Sequence, residues 1–346
     1  MNVKKGARIG MIGCGFYAQN HLHAWADLRE VGADLVAVCD IDRGRAEAAA
    51  SQFGARPYTS VDAMLDAEAL DFVDIATRLD SHQGIAAKAA VRRIGAIVQK
   101  PLAPTLADCV AIVETARRHG SWLAVHENFR FGTAMQRIKA VLDRGDIGAI
   151  NWARLSFRTA FNVYESQPYL AKEPRLCILD SGIHVLDLAR FFMGEVERIS
   201  CETQKRNPAI AGEDTSTMML RHKSGAVSLV EATYEAKRLP DVFPETLLEI
   251  EGSAGSVILL PGQRAIITSR DKSYEEDLRS PILPWTDVRW HVSQEAVLHA
   301  NAHFLDRFLE GRAADTSGED NLRTFALVEA AYQAAETHCS VRPEFS

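Results

Sequence analysis

A glycine turn near the start of the chain is the feature that most constrains its fold. An apolar strand at residues 8–12 leads into Gly13 and Gly15, and Ala18 lies early in the helix that follows. Asp40 closes the next apolar run about 20–30 positions further on, which is the spacing expected of a G-x-G-x-x-A dinucleotide site. Free N–H groups and the positive dipole end at the start of such a helix favour phosphate groups. The pattern therefore predicts a strand, a tight turn and a helix that together bind a dinucleotide.

The acidic residue at position 40 bears on which dinucleotide binds. A carboxylate in this position accepts hydrogen bonds from a ribose 2′-OH and repels a 2′-phosphate, so Asp40 favours NAD over NADP. Arg43 and Arg45 follow closely, and we interpret them as solvent-exposed helix positions rather than as phosphate ligands. A structural glycine turn that binds nothing is the alternative, and the position of Asp40 disfavours it.

The composition is that of an ordinary globular protein. The 346 residues suffice for about two domains, and 47% of them are hydrophobic while 25% are charged. A net charge of −7 argues against nucleic acid or an anionic membrane as the main partner. The six cysteines are scattered without a C-x-x-C pair, which is typical of a reduced cytoplasmic protein without a structural metal. No apolar run approaches the roughly 20 residues that span a bilayer.

Two different patterns divide the chain. Residues 7–127 alternate short apolar strands with amphipathic helices, which predicts a doubly wound parallel sheet of Rossmann type in an α/β domain at 1–128. Strand-like runs then follow one another with glycine turns between them, which predicts an α+β domain at 129–346 with a large, mostly antiparallel open sheet. Two helices close the chain, and we expect that they can pack back on the first domain. Residues 270–291 are interpreted as the longest irregular stretch, a kind of segment that is often functional.

Five further segments carry polar side chains at strand ends or helix starts. They are 74–77 with His82, Gln99-Lys100-Pro101, 126–131, 180–187 and 317–320. Together with the glycine turn, these segments resemble the Gfo/Idh/MocA family of sugar and inositol dehydrogenases. The resemblance covers essentially the whole chain, and the segments occur in the family's order. It implies an NAD-dependent oxidoreductase with a Rossmann domain and a second, substrate-binding domain.

The resemblance also implies three catalytic residues. Lys100 matches the lysine of the family's E-K-P motif, although Gln99 replaces its glutamate, and Asp180 and His184 match its D-x-x-x-H pair. The chemistry agrees, because hydride loss from a carbinol carbon requires a base for the hydroxyl proton. Residues four apart on a helix lie on one face, and Lys100 follows a strand on the edge where open α/β folds bind ligands. We expect Lys100 and His184 to handle the proton and Asp180 to orient the substrate or His184.

The complete set of predicted site residues falls into two groups. The predicted cofactor-binding residues are Gly13, Gly15, Phe16, Tyr17, Ala18, Asp40, Thr77, His82, Gln99 and Lys100. The predicted substrate-binding residues are Lys100, Asn128, Arg158, Asp180, His184 and Tyr234. For Asn128, Arg158 and Tyr234 the alternative is an ordinary position at a strand end. No metal site is predicted, because His299 and His303 have the i, i+4 spacing of ligands but lack a third ligand nearby.

The resulting expectation is an NAD-dependent dehydrogenase that oxidises a hydroxyl of a cyclic sugar or polyol. An aldopentose such as apiose or xylose, oxidised to a lactone, is the favoured substrate, as the resemblance implies. The resemblance also implies a homodimer or homotetramer formed through an exposed face of the second-domain sheet. Two alternatives remain open: an NAD-dependent glycoside hydrolase, in which oxidation is transient, and a non-catalytic regulator that senses NAD.

Overall fold

The amino-terminal part of the chain forms a six-stranded parallel sheet in the computed structural model. The structure describes residues 6–237, 239, 241, 243 and 245–344. The strands are β1 (Ala7–Ile12), β2 (Ala33–Cys39), β3 (Arg56–Tyr58), β4 (Phe72–Ile75), β5 (Gly95–Gln99) and β6 (Leu123–His126). Their order is β3-β2-β1-β4-β5-β6, and all pairs are parallel. The order reverses between β1 and β4, which is where open α/β sheets bind ligands.

Helices connect these strands. They are α1 (Ala18–Asp27), α2 (Arg43–Phe53), α3 (Val61–Ala67), α4 (His82–Val91) and α5 (Leu106–His119). Gly120, with a φ of 64°, ends α5 in the left-handed conformation that glycine adopts without strain. Val297–Leu322 also belongs to this compact unit. It packs there through Phe308, whose ring lies 5.0 Å from Phe72, and through the Thr316 hydroxyl, which donates to the Val125 carbonyl (2.7 Å).

The second compact unit, Asn128–Ala296 and residues from Arg323 onward, contains an eight-stranded sheet. Its strands are β7 (Ile150–Arg158), β8 (Val196–Gln204), β9 (Thr215–His222), β10 (Val227–Thr233), β11 (Thr246–Gly252), β12 (Gly255–Leu260), β13 (Arg264–Ser269) and β14 (Lys272–Asp277). Their order is β14-β13-β12-β11-β7-β10-β9-β8. β7 and β10 are parallel, and every other neighbouring pair is antiparallel. The predicted fold class, a Rossmann-type sheet plus a large and mostly antiparallel sheet, is confirmed.

One face of the second sheet packs against a helix. The remaining helices are α6 (Thr133–Asp143), α7 (Val163–Ser166), α8 (Ile183–Met193), α9 (His291–Leu309) and α10 (Gly318–Thr337). α8 lies against β7 and β10. Side chains alternate accordingly, because Leu155 and Phe157 of β7 are buried while Arg154 is exposed. The side chains of α8 and the inward-facing residues of β7 and β10 therefore share one core.

Two strands, β3 and β14, were not predicted from the sequence. β14 lies inside the stretch 270–291 that we expected to be irregular, because its charged sequence shows no apolar alternation. Hydrogen bonding to β13 makes it a strand. β3 has only three residues and contains Pro57, which an edge strand tolerates. Within the described residues, no helix has both the length and the apolar character needed to cross a bilayer.

Candidate active site

The glycine turn lies at the carboxyl end of β1. The Gly13 N–H donates to the Cys39 carbonyl (2.8 Å), and Gly13 has a φ of 93°. A Cβ atom on Gly13 would lie 2.3 Å from the Ala76 carbonyl oxygen, so only glycine fits there. A Cβ atom on Gly15 would meet nothing within 4 Å. The turn is closed against the sheet at Gly13 and open at Gly15, which is the arrangement that lets backbone approach a pyrophosphate.

The start of α1 follows this turn. Ala18 is buried as the first residue of the helix, while Phe16 is 59% exposed. The Tyr17 ring lies edge-on to His21, with 5.7 Å between ring centroids. The first N–H groups of an α-helix have no partner within the helix, so this end suits the phosphates of a dinucleotide.

Asp40 is fixed by two backbone hydrogen bonds. The Cys14 N–H donates to Oδ2 (2.9 Å) and the Asp42 N–H donates to Oδ1 (2.8 Å). Arg45 Nε lies 3.7 Å from Oδ1, while Arg43 pairs with Glu47 along α2. Each carboxylate oxygen has a further lone pair, so Asp40 can still accept from ribose hydroxyls. The open turn, the helix start and this anchored carboxylate fit NAD.

His82 joins two turns on the same edge of the sheet. Its Nε2 lies 3.2 Å from the Thr77 carbonyl, and its Nδ1 lies 3.2 and 3.3 Å from the carbonyls of Pro101 and Leu102. His82 is buried, and burial lowers its pKa, so the imidazole is neutral and donates from one nitrogen. The buried His82 ring thus lies between the turn after β4 and the turn that carries Lys100.

Lys100 follows the last residue of β5. The buried Gln99 side chain turns back on the chain, and its Oε1 accepts from the Lys100 backbone N–H (2.8 Å). The Lys100–Pro101 peptide is cis, and the Lys100 side chain is half-buried. In the turn after β4, the hydroxyls of Thr77 and Ser81 are 2.7 Å apart. Thr77, Gln99 and Lys100 thus lie at the carboxyl ends of neighbouring parallel strands.

A fully buried polar cluster lies within the same unit. Asp74 Oδ2 accepts from Trp25 Nε1 and contacts His21 Nδ1, both at 2.8 Å. The His126 ring lies 4.1 Å from the His21 ring, and its Nε2 is 2.9 Å from Asn301 Oδ1. Burial, together with the charge of His21, lowers the pKa of His126 to about 3. No sequence signal indicated the pairing of His21 with Asp74.

In the second unit, Asp180 lies in a π-helical turn, Ile178–Gly182, that leads into α8. Glu213 anchors the start of this turn, because its two oxygens accept the N–H groups of Leu176 (3.2 Å) and Ile178 (3.0 Å). The Tyr234 hydroxyl donates to Asp180 Oδ2 at 2.5 Å. Burial and the charge of Asp180 raise the pKa of Tyr234 well above its ordinary value, so Tyr234 remains a donor at neutral pH. Short π-helical turns of this kind are frequent at functional sites.

His184 lies in the first turn of α8 and is 5% exposed. The ring of Phe129 stacks on its imidazole, with 3.8 Å between centroids and 2° between planes. Arg130, the next residue, pairs with Asp187 one turn further along α8: Nε donates to Oδ2 (2.7 Å) and Nη2 to Oδ1. Asp187 Oδ1 also accepts from the Thr324 hydroxyl (3.0 Å). The segments at 126–131 and 180–187 were both singled out from the sequence, but their pairing was not.

Asn128 and Arg158 are the two other predicted substrate residues. Asn128 is fully buried, and its side-chain amide donates to the Ser293 carbonyl (3.3 Å). Arg158 is the last residue of β7, and strand alternation places its side chain on the face opposite to Phe157 and Tyr234. There Arg158 lies 3.6 Å from Glu231, which also pairs with Arg154. Asp180, His184 and Tyr234 are therefore brought to one face of the sheet, and Arg158 is not.

Among the residues that the structure describes, no group of three or more His, Cys, Asp or Glu side chains could hold a metal ion. His303, half of the i, i+4 histidine pair, accepts the Asp315 N–H at Nε2 (3.0 Å).

Comparison with known proteins identifies the family. Residues 7–127 match the model of an oxidoreductase family with an NAD-binding Rossmann fold, and residues 135–258 match the GFO/IDH/MocA C-terminal domain. Two proteins named D-apiose dehydrogenase are similar. The one from Paraburkholderia graminis is 45% identical over 96% of this chain and 87% of its own length. The one from Rhizobium rhizogenes is 44% identical over 97% and 96%.

A solved structure of an oxidoreductase is also similar to this chain in both sequence and fold. An oxidoreductase from Agrobacterium radiobacter, in complex with NAD+, L-tartaric acid and magnesium, is 43% identical, covers 98% of both chains and superimposes with a TM-score of 0.95. The predicted resemblance, the enzyme class and NAD as the cofactor are confirmed. The chain belongs to the Gfo/Idh/MocA family of NAD-dependent oxidoreductases.

Proposed function

We propose that this chain is a D-apiose dehydrogenase, which oxidises a cyclic aldopentose at its hemiacetal hydroxyl and forms a lactone. The observation that carries the proposal is the identity of 45% and 44%, over nearly the whole chain, to two D-apiose dehydrogenases. The reaction removes a hydride from the hemiacetal carbon and a proton from its hydroxyl, which leaves the ring ester. NAD, when bound, supplies the acceptor for that hydride.

The hydroxyl proton is assigned to Lys100 and His184. A base must take this proton as the carbon loses its hydride, and both side chains belong to types that do so near neutral pH when their surroundings tune them. The stack on Phe129 supports a role for His184, because it fixes the plane of the imidazole. Asp180 orients the substrate or His184, and the hydrogen bond from Tyr234 holds its carboxylate in place. Tyr234 and Asn128 are assigned to the substrate side of the site.

The cofactor is held by the residues of the first unit. Gly13, Gly15 and the start of α1 receive the pyrophosphate, with Phe16, Tyr17 and Ala18 beside it, and Asp40 accepts from the ribose. Thr77 and Gln99 line the neighbouring strand ends. His82 contributes by packing between the turns at Thr77 and Pro101.

Substrate oxidation tests the proposal directly. The purified full chain is incubated with NAD and with D-apiose, D-xylose, D-glucose or myo-inositol, and NADH absorbance is followed. We expect D-apiose to give the highest kcat/KM, with one NADH per lactone. Lys100→Met and His184→Asn should each lower kcat at least about 100-fold while NADH still binds. Lys172→Met and His338→Asn, at exposed positions, are the matched controls. Absence of NADH formation with D-apiose contradicts the proposal.

Adding an aryl glycoside to the substrates of this assay separates the two alternatives. Release of the aryl alcohol from an aryl glycoside, without net NADH, would indicate a glycoside hydrolase instead. NADH binding without turnover of any sugar or polyol would indicate a sensing protein. The identity to named dehydrogenases favours oxidation over both.

We also propose that two copies of the chain associate through the outer face of the second sheet. Two apolar pairs lie on that face, Met219 with Leu229 and Ile258 with Ile266, and Arg154 and Glu249 lie between them in the same register. Met219 is 51% exposed. A dimer or tetramer that becomes monomeric in Met219→Lys/Leu229→Glu, as measured by sedimentation, supports this interface, and a monomeric wild type contradicts it. The scattered cysteines, which include no C-x-x-C pair, support the cytoplasm as the location.

A further inference from the structure

Three aromatic side chains from three separate segments of the second unit meet at one place. Phe161 follows β7, Phe243 lies between β10 and β11, and Trp290 immediately precedes α9. The rings of Phe161 and Phe243 stack, with 4.6 Å between centroids and 11° between planes. The Trp290 ring stands edge-on to both, at 5.0 and 4.9 Å. We call these three residues the aromatic wall.

A single carboxylate ties the three segments together. Asp241 accepts from the Thr159 hydroxyl and from the Ala160 N–H, each at 2.9 Å. Arg289 Nη2 lies 3.8 Å from the same carboxylate, and the Arg289 guanidinium lies 4.7 Å above the Phe161 ring. Asp241 thus links the segment after β7, the segment after β10 and the segment before α9. The wall is positioned by this ion pair and these hydrogen bonds as well as by ring contacts.

The aromatic wall is continuous with the residues assigned to the sugar. Phe157 is buried between them, with its ring 5.9 Å from Phe243 and 6.5 Å from Tyr234. The Phe157 ring also lies 6.0 Å from Phe129, which stacks on His184. Because β7 and β10 are parallel, the segments that follow them leave the sheet at the same end.

The exposure of the wall agrees with a role in binding. Phe161, Phe243 and Trp290 are each half-buried. The Phe161 ring already contacts Phe243 and the Arg289 guanidinium, so we expect Phe243 and Trp290 to provide most of the surface for a ligand. Such a surface suits a sugar, because the hydroxyls of a sugar ring project outward while its faces carry C–H groups. These C–H groups are attracted to the electron-rich face of an aromatic ring, and they lose little hydration in the contact.

We propose that Phe161, Phe243 and Trp290 form the wall against which a C–H face of the bound sugar packs, and that they determine sugar affinity and selectivity. This proposal rests on the proposed sugar dehydrogenase function. It assigns the wall to binding, and it leaves the proton chemistry to Lys100 and His184. The contact is the same in the ground state and in the transition state, so its loss raises KM and leaves kcat nearly unchanged.

The test compares Trp290→Leu and Phe243→Leu with the wild type, using the best sugar substrate of the wild type. We expect KM to rise about tenfold or more in each variant, with kcat and the Kd for NADH unchanged within about threefold. Trp290→Phe, which keeps an aromatic face, should recover most of the affinity. Asp241→Asn should give a smaller rise in KM, because it weakens the pairing with Arg289 while a hydrogen-bond acceptor remains. Tyr274→Leu, at an exposed aromatic position on β14, is the matched control and should change nothing.

Each result decides the proposal. If the wild type oxidises D-apiose and the KM for the sugar is unchanged in folded, NADH-binding Trp290→Leu and Phe243→Leu, the wall proposal is wrong and the proposed function stands. The half-exposed Phe161→Leu replaces either variant if that variant fails to fold. If the wild type oxidises no sugar or polyol at all, both proposals are wrong. A loss of kcat at unchanged KM would also overturn the assignment of the wall to binding.

Discussion

The ring of Phe129 lies flat on the imidazole of His184, with 3.8 Å between centroids and 2° between planes. The next residue, Arg130, holds Asp187 one turn further along the same helix. The short turn Phe129–Phe131 therefore contacts α8 at His184 and at Asp187. Fixing the plane of a proton-handling group before the substrate arrives reduces the entropy lost in reaching the reactive geometry. The stack thus connects the packing of α8 to the chemistry assigned to His184.

Replacing Phe129 by leucine should lower kcat about tenfold with little change in KM, because the imidazole loses the flat surface that fixes its plane. Phe129→Tyr, which keeps that surface, should retain most of the activity. Steady-state kinetics with NADH absorbance measure both, and thermal unfolding checks that the variants are folded. A kcat of Phe129→Leu equal to that of the wild type would show that the stack has no part in orienting His184.

Breaking the ion pair between Arg130 and Asp187 should destabilise the protein strongly. Both side chains are buried, so Arg130→Met leaves the Asp187 carboxylate without its main partner and should cost about 3–5 kcal/mol. Removing both charges in Arg130→Met/Asp187→Leu should cost less than the single change. The free energy of unfolding in urea measures these effects. Arg144→Met, at an exposed pair with Asp146, is the control and should cost at most about 1 kcal/mol. Equal losses at the two sites would contradict the prediction.

Tyr234→Phe should lower kcat/KM by about 10–100-fold, because a hydrogen bond to a carboxylate is worth roughly 1.5–3 kcal/mol. The substitution removes only the hydroxyl that orients Asp180, and it keeps the ring that packs near Phe157. Kinetics with the preferred sugar, together with NADH titration, separate this effect from a loss of cofactor binding. Unchanged kcat/KM would mean that the orientation of Asp180 does not depend on Tyr234.

Asp40→Ser should weaken NAD binding at least about tenfold and raise the ratio of NADP to NAD activity, because a carboxylate accepts from the ribose and repels a phosphate. Arg45, whose Nε lies 3.7 Å from the Asp40 carboxylate, would then be released to contact a 2′-phosphate. Arg45→Ala is the matched control and should leave the Kd for NAD nearly unchanged. Fluorescence titration with NADH and NADPH measures both preferences. An unaltered Kd for NADH in Asp40→Ser would remove Asp40 from the cofactor site.

Acid should destabilise the protein through His126. The pKa of His126 is about 3 in the folded state and about 6.5 in the unfolded chain. Below about pH 6.5 the unfolded chain therefore binds a proton at His126, and the folded chain does not. We therefore expect Tm to fall as the pH drops from that value towards 3, and His126→Gln to reduce this slope. Asp74, whose pKa is also lowered, contributes only below its ordinary range near pH 4. His338→Asn, at an exposed position, should keep the slope of the wild type.

The sequence could predict the parts of this protein that depend on neighbouring residues. Gly13 must adopt a positive φ, β1 and α1 follow from the local apolar pattern, and Asp40 closes the next strand. The alternation of strands and helices was sufficient for the parallel sheet. β14 was missed because its hydrogen bonds to β13, rather than its charged sequence, make it a strand.

The sequence by itself determined the dinucleotide turn, the two kinds of sheet and the residue types available for proton transfer, because a few neighbouring side chains and backbone angles specify each of these. Only the tertiary structure decided which side chains support the chemistry. Arg130 and Asp187 are 57 positions apart, and Asp180 and Tyr234 are 54 positions apart. The aromatic wall comes from three separate segments. Such partners meet because the packing of α8 and the parallel pairing of β7 with β10 bring distant segments together, and no local pattern encodes those distances.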